Sequence, residues 1–166
     1  MTANMAEAAA LAAAVAAWLK ERGETVAVAE SSAGGLIAAA LLAVPGASAY
    51  FLGGSVVYTG RAMRELLGLS REVLATHRSA TPQRAQVLAG AARDRLGATW
   101  GLGETGAAGP TGNPYGDAPG HTCIAVAGPV TLVETIETAS SDRAANMVSF
   151  TVATLRLFRG ALERQR

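Results

Sequence analysis

Two short segments hold most of the residue types that could do chemistry in this chain. Glu30-Ser31-Ser32-Ala33-Gly34-Gly35 joins a carboxylate, two hydroxyls and two glycines. Thr105-Gly106-Ala107-Ala108-Gly109-Pro110-Thr111-Gly112-Asn113-Pro114-Tyr115-Gly116-Asp117 follows a second carboxylate, Glu104. The first reads as a strand, a small polar and glycine turn, then a helix. In that layout the N–H groups at the helix start point toward an anion or a developing oxyanion. Ser31 suits two roles there: a helix cap, or a hydroxyl whose Oγ projects from the strand end into a crevice. Glu30 and Glu104 stand at expected strand ends beside the two segments. Two carboxylates sharing one crevice raise the pKa of one of them, which can then act as a general base. The other role open to each is to hold its turn by accepting from loop N–H groups.

Neither segment carries a nucleotide fingerprint. Gly34-Gly35 lacks the GxGxxG spacing, and no GK[ST] occurs anywhere. His77 follows an expected helix and reads as a cap or packing group. His121 and Cys123 are metal-compatible, yet two such residues without further ligands do not make a zinc site, so no metal is expected.

The elements that must position these residues follow from punctuation and periodicity. Ala8 to Leu19 is an apolar run without preceding Lys or Arg, with Glu7 before it and Lys20-Glu21-Arg22 after it. Leu11, Val15, Trp18 and Leu19 fall on one face, which predicts an amphipathic helix and not a targeting signal. Thr25 to Ala29 predicts a short buried strand and Leu36 to Ala43 a helix ended by Val44-Pro45-Gly46. Tyr50 to Tyr58 is strand-like but broken by Gly53-Gly54. Arg61 to Leu67 predicts a helix stopped at Gly68, and Ser70 caps another. Thr81-Pro82 opens a helix running to Leu96. Thr99 to Glu104 is a strand, Thr122 to Ala127 and Thr131 to Thr138 form a hairpin, and Ser141 to Leu162 a last helix. This alternation predicts a single three-layer α/β/α domain over residues 1–166 with a mixed sheet. In open sheets of this kind ligands sit at the carboxyl ends of strands, so both segments border one crevice.

Composition limits the partners. Thirty-seven alanines and 19 glycines against eight aromatics favour closely packed helices over a sheet. A net charge of +1 without a basic block gives no support to nucleic acid binding, and no run is long enough to span a bilayer. The single Cys123 excludes an internal disulfide and points to a cytoplasmic location. Close helix packing is compatible with a homo-oligomer.

Ala29-Glu30-Ser31-Ser32-Ala33-Gly34-Gly35-Leu36-Ile37-Ala38 resembles the AESCTGG-L-IA segment of the CinA C-terminal family. Val44-Pro45-Gly46-Ala47-Ser48 with Phe51-Leu52-Gly53-Gly54 is similar to that family's VPGSS…F-GG stretch. Tyr58, Leu66-Leu67-Gly68, His77 and Thr105-Gly106-Ala107-Ala108-Gly109-Pro110 follow in the same order. The resemblance implies the stand-alone form of a nicotinamide-nucleotide amidase, converting nicotinamide mononucleotide to nicotinate mononucleotide and ammonia. It implies Ser31 as a nucleophile activated by a lysine. It also implies Gly34, Gly35, Gly106 and Gly109 as shaping oxyanion and phosphate contacts, with Tyr58, Thr105 and Arg143 orienting a small-molecule substrate. Amide hydrolysis by a serine asks for no cofactor.

The chain departs from the family pattern at several of these positions. Met63 falls where the family has its lysine. Arg61 and Arg64 are nearby, but a guanidinium stays protonated and cannot act as a base. The only lysine, Lys20, ends the first helix. Ser32 and Ala33 replace a cysteine and a threonine, and Glu104 replaces an aliphatic residue. The run Gly109 to Asp117 replaces a glycine-rich loop that leads to a Lys-Pro pair. One turn beyond Arg143, Asn146 or Met147 stands in place of a second arginine. An alternative expectation follows: a degenerate member that binds a nucleotide or similar ligand without hydrolysing it.

Overall fold

The computed structural model, which describes residues 3–165, places one five-stranded sheet between two layers of helices. The strands are β1 (Val26–Glu30), β2 (Phe51–Val56), β3 (Trp100–Ala107), β4 (His121–Ala127) and β5 (Leu132–Glu137), in the spatial order β2-β1-β3-β4-β5. β2, β1 and β3 are parallel, while β3, β4 and β5 pair antiparallel, so the sheet is mixed as expected. The helices are α1 (Met5–Arg22), α2 (Leu36–Leu42), α3 (Gly60–Leu67), α4 (Arg71–Thr76), α5 (Pro82–Leu96) and α6 (Arg143–Arg164). α1, α2 and α6 cover one face of the sheet; α5 crosses the other, with α3 beside it.

Local chemistry explains the boundaries. Asn4, Thr81 and Asp142 accept N–H bonds from Glu7, Arg84 and Ala145, capping α1, α5 and α6. Asp142 is thus the cap of α6. Leu11, Val15 and Leu19 of α1 are buried in the main core with Trp100, Phe150 and Phe158. The opposite core is built from small side chains. A Cβ on Gly103 would lie 2.6 Å from the main-chain N of Ala89, so glycine lets α5 lie directly on β3.

Most boundaries fall within two residues of expectation, and two readings differ in substance. Gly53-Gly54 does not break β2; both residues pair with β1, and Gly54 leaves room for the methyl of Ala38, 2.9 Å from where its Cβ would stand. β3 continues past Glu104 to Ala107, because Thr105, Gly106 and Ala107 pair with Cys123, Thr122 and His121. That extension decides which face each of these residues uses.

Candidate functional site

The carboxyl end of β1 turns into α2 through Ser31 to Gly35, beside the end of β3. Side chains of adjacent strand residues alternate between faces. Leu102 and Glu104 therefore point toward α2 and α6, while Gly101, Gly103 and Thr105 face α5. Glu104 is fully buried, and four hydrogen bonds converge on it. Its Oε2 accepts from the main-chain N–H groups of Ser31 (3.0 Å) and Ala33 (2.9 Å). Its Oε1 accepts from the hydroxyls of Thr122 (2.7 Å) and Ser32. Thr122 pairs with Gly106, whose missing side chain lets the hydroxyl reach diagonally to Glu104.

Glu30 does a different job. Its oxygens accept from Ile37 N (3.1 Å) and Ala38 N (2.9 Å), which fastens the start of α2 to the end of β1. Burial raises its pKa above the ordinary carboxylate value, against the lowering effect of those N–H bonds; the nearby Glu104 charge adds to the rise. The amides expected to face an oxyanion are committed within the turn. Ala33 N bonds Glu104, Gly34 N bonds Ser31 O (3.2 Å), and Gly35 N supports Glu30. Gly34 and Gly35 have φ of +70° and +100° and make the tight turn possible; a Cβ on Gly34 would meet Met147 Cε at 2.5 Å.

Above this turn lies a cleft of about 240 Å³, walled by Ser32, Tyr58, Gly106 to Gly109, Thr111 to Pro114 and Arg143. Among the described residues, Arg143 is the only charged side chain lining it. Its Nη1 donates to Gly109 O (2.6 Å) and its Nη2 to Tyr58 Oη (3.3 Å), which holds positive charge at the rim. Asn146, one turn along α6, donates to Ala108 O (2.8 Å) and so fixes the adjoining wall. The far wall is tied down by Asp117, which accepts from Arg78 (2.7 and 3.1 Å) and from Asn113 Nδ2 (2.7 Å). Larger hollows exist at the β2 edge (about 300 Å³) and between α1, β5 and α6 (about 380 Å³), but they gather none of the expected site residues.

The sequence-derived set divides accordingly. Tyr58, Gly106, Gly109 and Arg143 line the cleft, and Glu104 lies beneath it. Thr105 does not line it: only 1% exposed, it accepts from Ala80 N (3.1 Å) on the α5 face, because β3 continues through it. Ser31 is 8% exposed and meets Glu104 through its main chain. Met63, which the resemblance sets against a lysine, is buried with Ala29, Val57, Leu67 and Leu88 in an apolar cluster. Lys20 is exposed and bonds Pro45 O (3.3 Å). His77 ends α4, and its carbonyl accepts from Arg84.

His121 bonds Ala80 O (2.9 Å) and Glu137; burial lowers its pKa, but these two partners outweigh burial and raise it overall. Cys123 lies 3.7 Å from His121 Nε2, and burial raises its thiol pKa. Among the described residues no three His, Cys, Asp or Glu side chains gather to hold a metal ion, and no helix is long and apolar enough to cross a membrane. Ser32, Asn113 and Thr122 were not among the expected site residues. Their signals were present: Ser32 adjoins Ser31, Asn113 opens an Asx turn, and Thr122 is a polar residue near the start of a mostly apolar strand.

Comparison with known proteins agrees with this architecture. The family model described as the CinA C-terminal domain matches residues 8–162. A "CinA-like protein" of Prochlorococcus marinus (strain MIT 9313) is 46% identical over 111 residues, covering 67% of this chain and 26% of that protein. Another from Anaeromyxobacter sp. (strain Fw109-5) is 42% identical over 143 residues, covering 85% and 35%. The chain thus spans about a quarter to a third of the length of these curated relatives. Among solved structures, the competence/damage inducible protein CihA from Agrobacterium tumefaciens superposes with a TM-score of 0.87 at 30% identity, covering 95% and 96% of the two chains. Competence damage-inducible protein A from Klebsiella pneumoniae gives 0.89 at 26% identity, covering 96% and 99%. With the family model spanning nearly the whole chain and the same fold in these structures, this protein belongs to the CinA C-terminal domain family.

Proposed function

We propose that this chain hydrolyses the carboxamide of a small anionic substrate of the nicotinamide-nucleotide kind, releasing ammonia. The observation that carries the reading is the buried Glu104 carboxylate, hydrogen-bonded to the Ser31–Ser32 turn directly beneath a cleft whose one charged residue, among the described residues, is Arg143. A serine hydroxyl attacks the amide carbon, Glu104 receives its proton, and Arg143 with Tyr58 holds the anionic part of the substrate. Glu104 takes the base's role because Met63 leaves no Ser–Lys pair and Glu30 is spent on the start of α2.

A second reading is a member that binds the same ligand and leaves the amide intact. It is favoured by one specific observation: Glu104 Oε2 already occupies the N–H groups of Ser31 and Ala33, which could otherwise receive an oxyanion. Incubation of the purified protein with nicotinamide mononucleotide separates the two. Ammonia release with nicotinate mononucleotide as co-product is the expected result. Calorimetric binding without ammonia selects the second reading.

A further inference from the structure

We infer that the nucleophile is Ser32, with Glu104 as its direct general base; this rests on the hydrolytic reading and specifies its reacting atoms. Ser31 and Ser32 are adjacent in sequence but differently placed. Ser32 lines the cleft and its hydroxyl donates to Glu104 Oε1. Ser31 reaches the same carboxylate only through its main-chain N–H, to Oε2. Three further donors hold the carboxylate in this orientation: two main-chain N–H groups on Oε2 and the Thr122 hydroxyl on Oε1. Ser32 and Glu104, two of the positions at which the sequence leaves the pattern of the resemblance, are thus bonded to each other. At the family's lysine position, Met63 is buried in an apolar cluster on the α3–α5 side of the sheet, whereas Glu104 projects from the α2–α6 face.

The steps balance without an added reagent. Ser32 Oγ bonds to the amide carbon as its proton passes to Glu104 Oε1. The C–N bond then breaks, and the leaving nitrogen takes that proton and departs as ammonia. Water attacks the resulting Ser32 ester, giving a proton to Glu104. The C–Oγ bond breaks, Oγ recovers the proton, and the free carboxylic acid leaves. Direct base catalysis of this kind is worth roughly 10²–10⁴ in rate.

A fluorophosphonate probe tests the assignment, since attack by the nucleophile forms an Oγ–P bond and expels fluoride. Fragment mass spectrometry distinguishes the two adjacent serines. The expected adduct is on Ser32, is lost in Ser32→Ala, and still forms at Ser32 in Ser31→Ala. In Glu104→Gln the labelling rate falls by about 10²-fold or more. Because Glu104 also anchors the turn, each variant's melt is recorded, and the two serine variants decide the matter even if Glu104→Gln does not fold. An adduct on Ser31, or ammonia release that survives in Ser32→Ala, overturns the proposal. Absence of any serine adduct overturns it as well. An adduct on Ser32 without release of ammonia from nicotinamide mononucleotide leaves the nucleophile standing and sinks the substrate reading instead.

Discussion

The Arg84 guanidinium lies against the sulfur of Met63, with Nη1 and Sδ 3.2 Å apart. Arg84 is 4% exposed, and its other partners are neutral: the carbonyls of Leu74 (2.6 Å) and His77 and the hydroxyl of Ser79 (3.4 Å). Burial lowers its pKa from the usual arginine value, yet it remains a cation. A second cation at position 63 would therefore be buried in apolar surroundings beside a permanent charge. Met63→Lys is expected to destabilise the fold by about 3–5 kcal/mol, the range for an uncompensated buried charge, and to lower the melting temperature by roughly 10 °C. Desolvation and Arg84 both depress the lysine's folded pKa below its unfolded one. The unfolded state then binds more protons, so the deficit relative to the parent shrinks as pH rises toward about 10. Melts at neutral and alkaline pH check this. The double variant Met63→Lys/Arg84→Met should lose less than the sum of the two singles.

Glu30 gives a second pH dependence, of opposite sign. Its folded pKa is raised, so between the unfolded value near 4.5 and the folded one the native state holds the extra proton. That contribution is complete below the unfolded pKa and is lost as pH rises through the folded pKa. Glu30→Gln removes the dependence and weakens the fastening of α2, at a cost of about 1 kcal/mol near neutrality. Urea titrations should show the parent's advantage over the variant to be larger at about pH 4 than at about pH 7. An advantage that does not change with pH would contradict the burial argument.

Asp117 titrates in the usual carboxylate sense. The two hydrogen bonds from Arg78 are the main reason its carboxyl is held down at about 2. The stabilisation is present above the unfolded pKa and disappears as pH falls toward 2. Arg78 is 42% exposed, so solvent screening limits the pair to about 1 kcal/mol. Asp117→Asn is expected to lose that amount at neutral pH and nothing at the acid end. It should also weaken nicotinamide mononucleotide binding in calorimetry, because the loop that Asp117 anchors forms the far wall of the cleft.

Gly103 sets the approach of α5 to β3. In Gly103→Ala the added methyl would meet the main chain of Ala85 and Ala89, which cannot yield as a flexible side chain does. The helix must move outward, at a cost of about 1–3 kcal/mol. A thermal melt checks this, and Gly90→Ala on α5 is the control, since nothing lies within 4 Å of where its Cβ would stand. The control should be neutral or slightly stabilising.

Much of this protein is set by local chemistry and can be read from the residues in order. Caps such as Thr81-Pro82, stops such as Gly68 and Gly97, and alternating strands and helices determine the elements and the α/β class. The two small-residue segments locate the crevice, because strand ends and tight turns have short-range signatures. Tertiary structure decided what depends on pairing between distant segments. Extension of β3 through Thr105 is driven by β4, and with a period of two it turns Thr105 away from the cleft while leaving Glu104 beneath it. Glu104 meets Ser32 across 72 residues of chain, and Arg78 meets Asp117 across 39. Met63 lies on an amphipathic helix, but only the packing of α3 beside α5 places it in the core against Arg84. A residue's type and its neighbours along the chain set what its side chain can do. Which carboxylate, hydroxyl or cation it meets is set by sheet register and layer packing, and these depend on contacts between segments far apart in sequence.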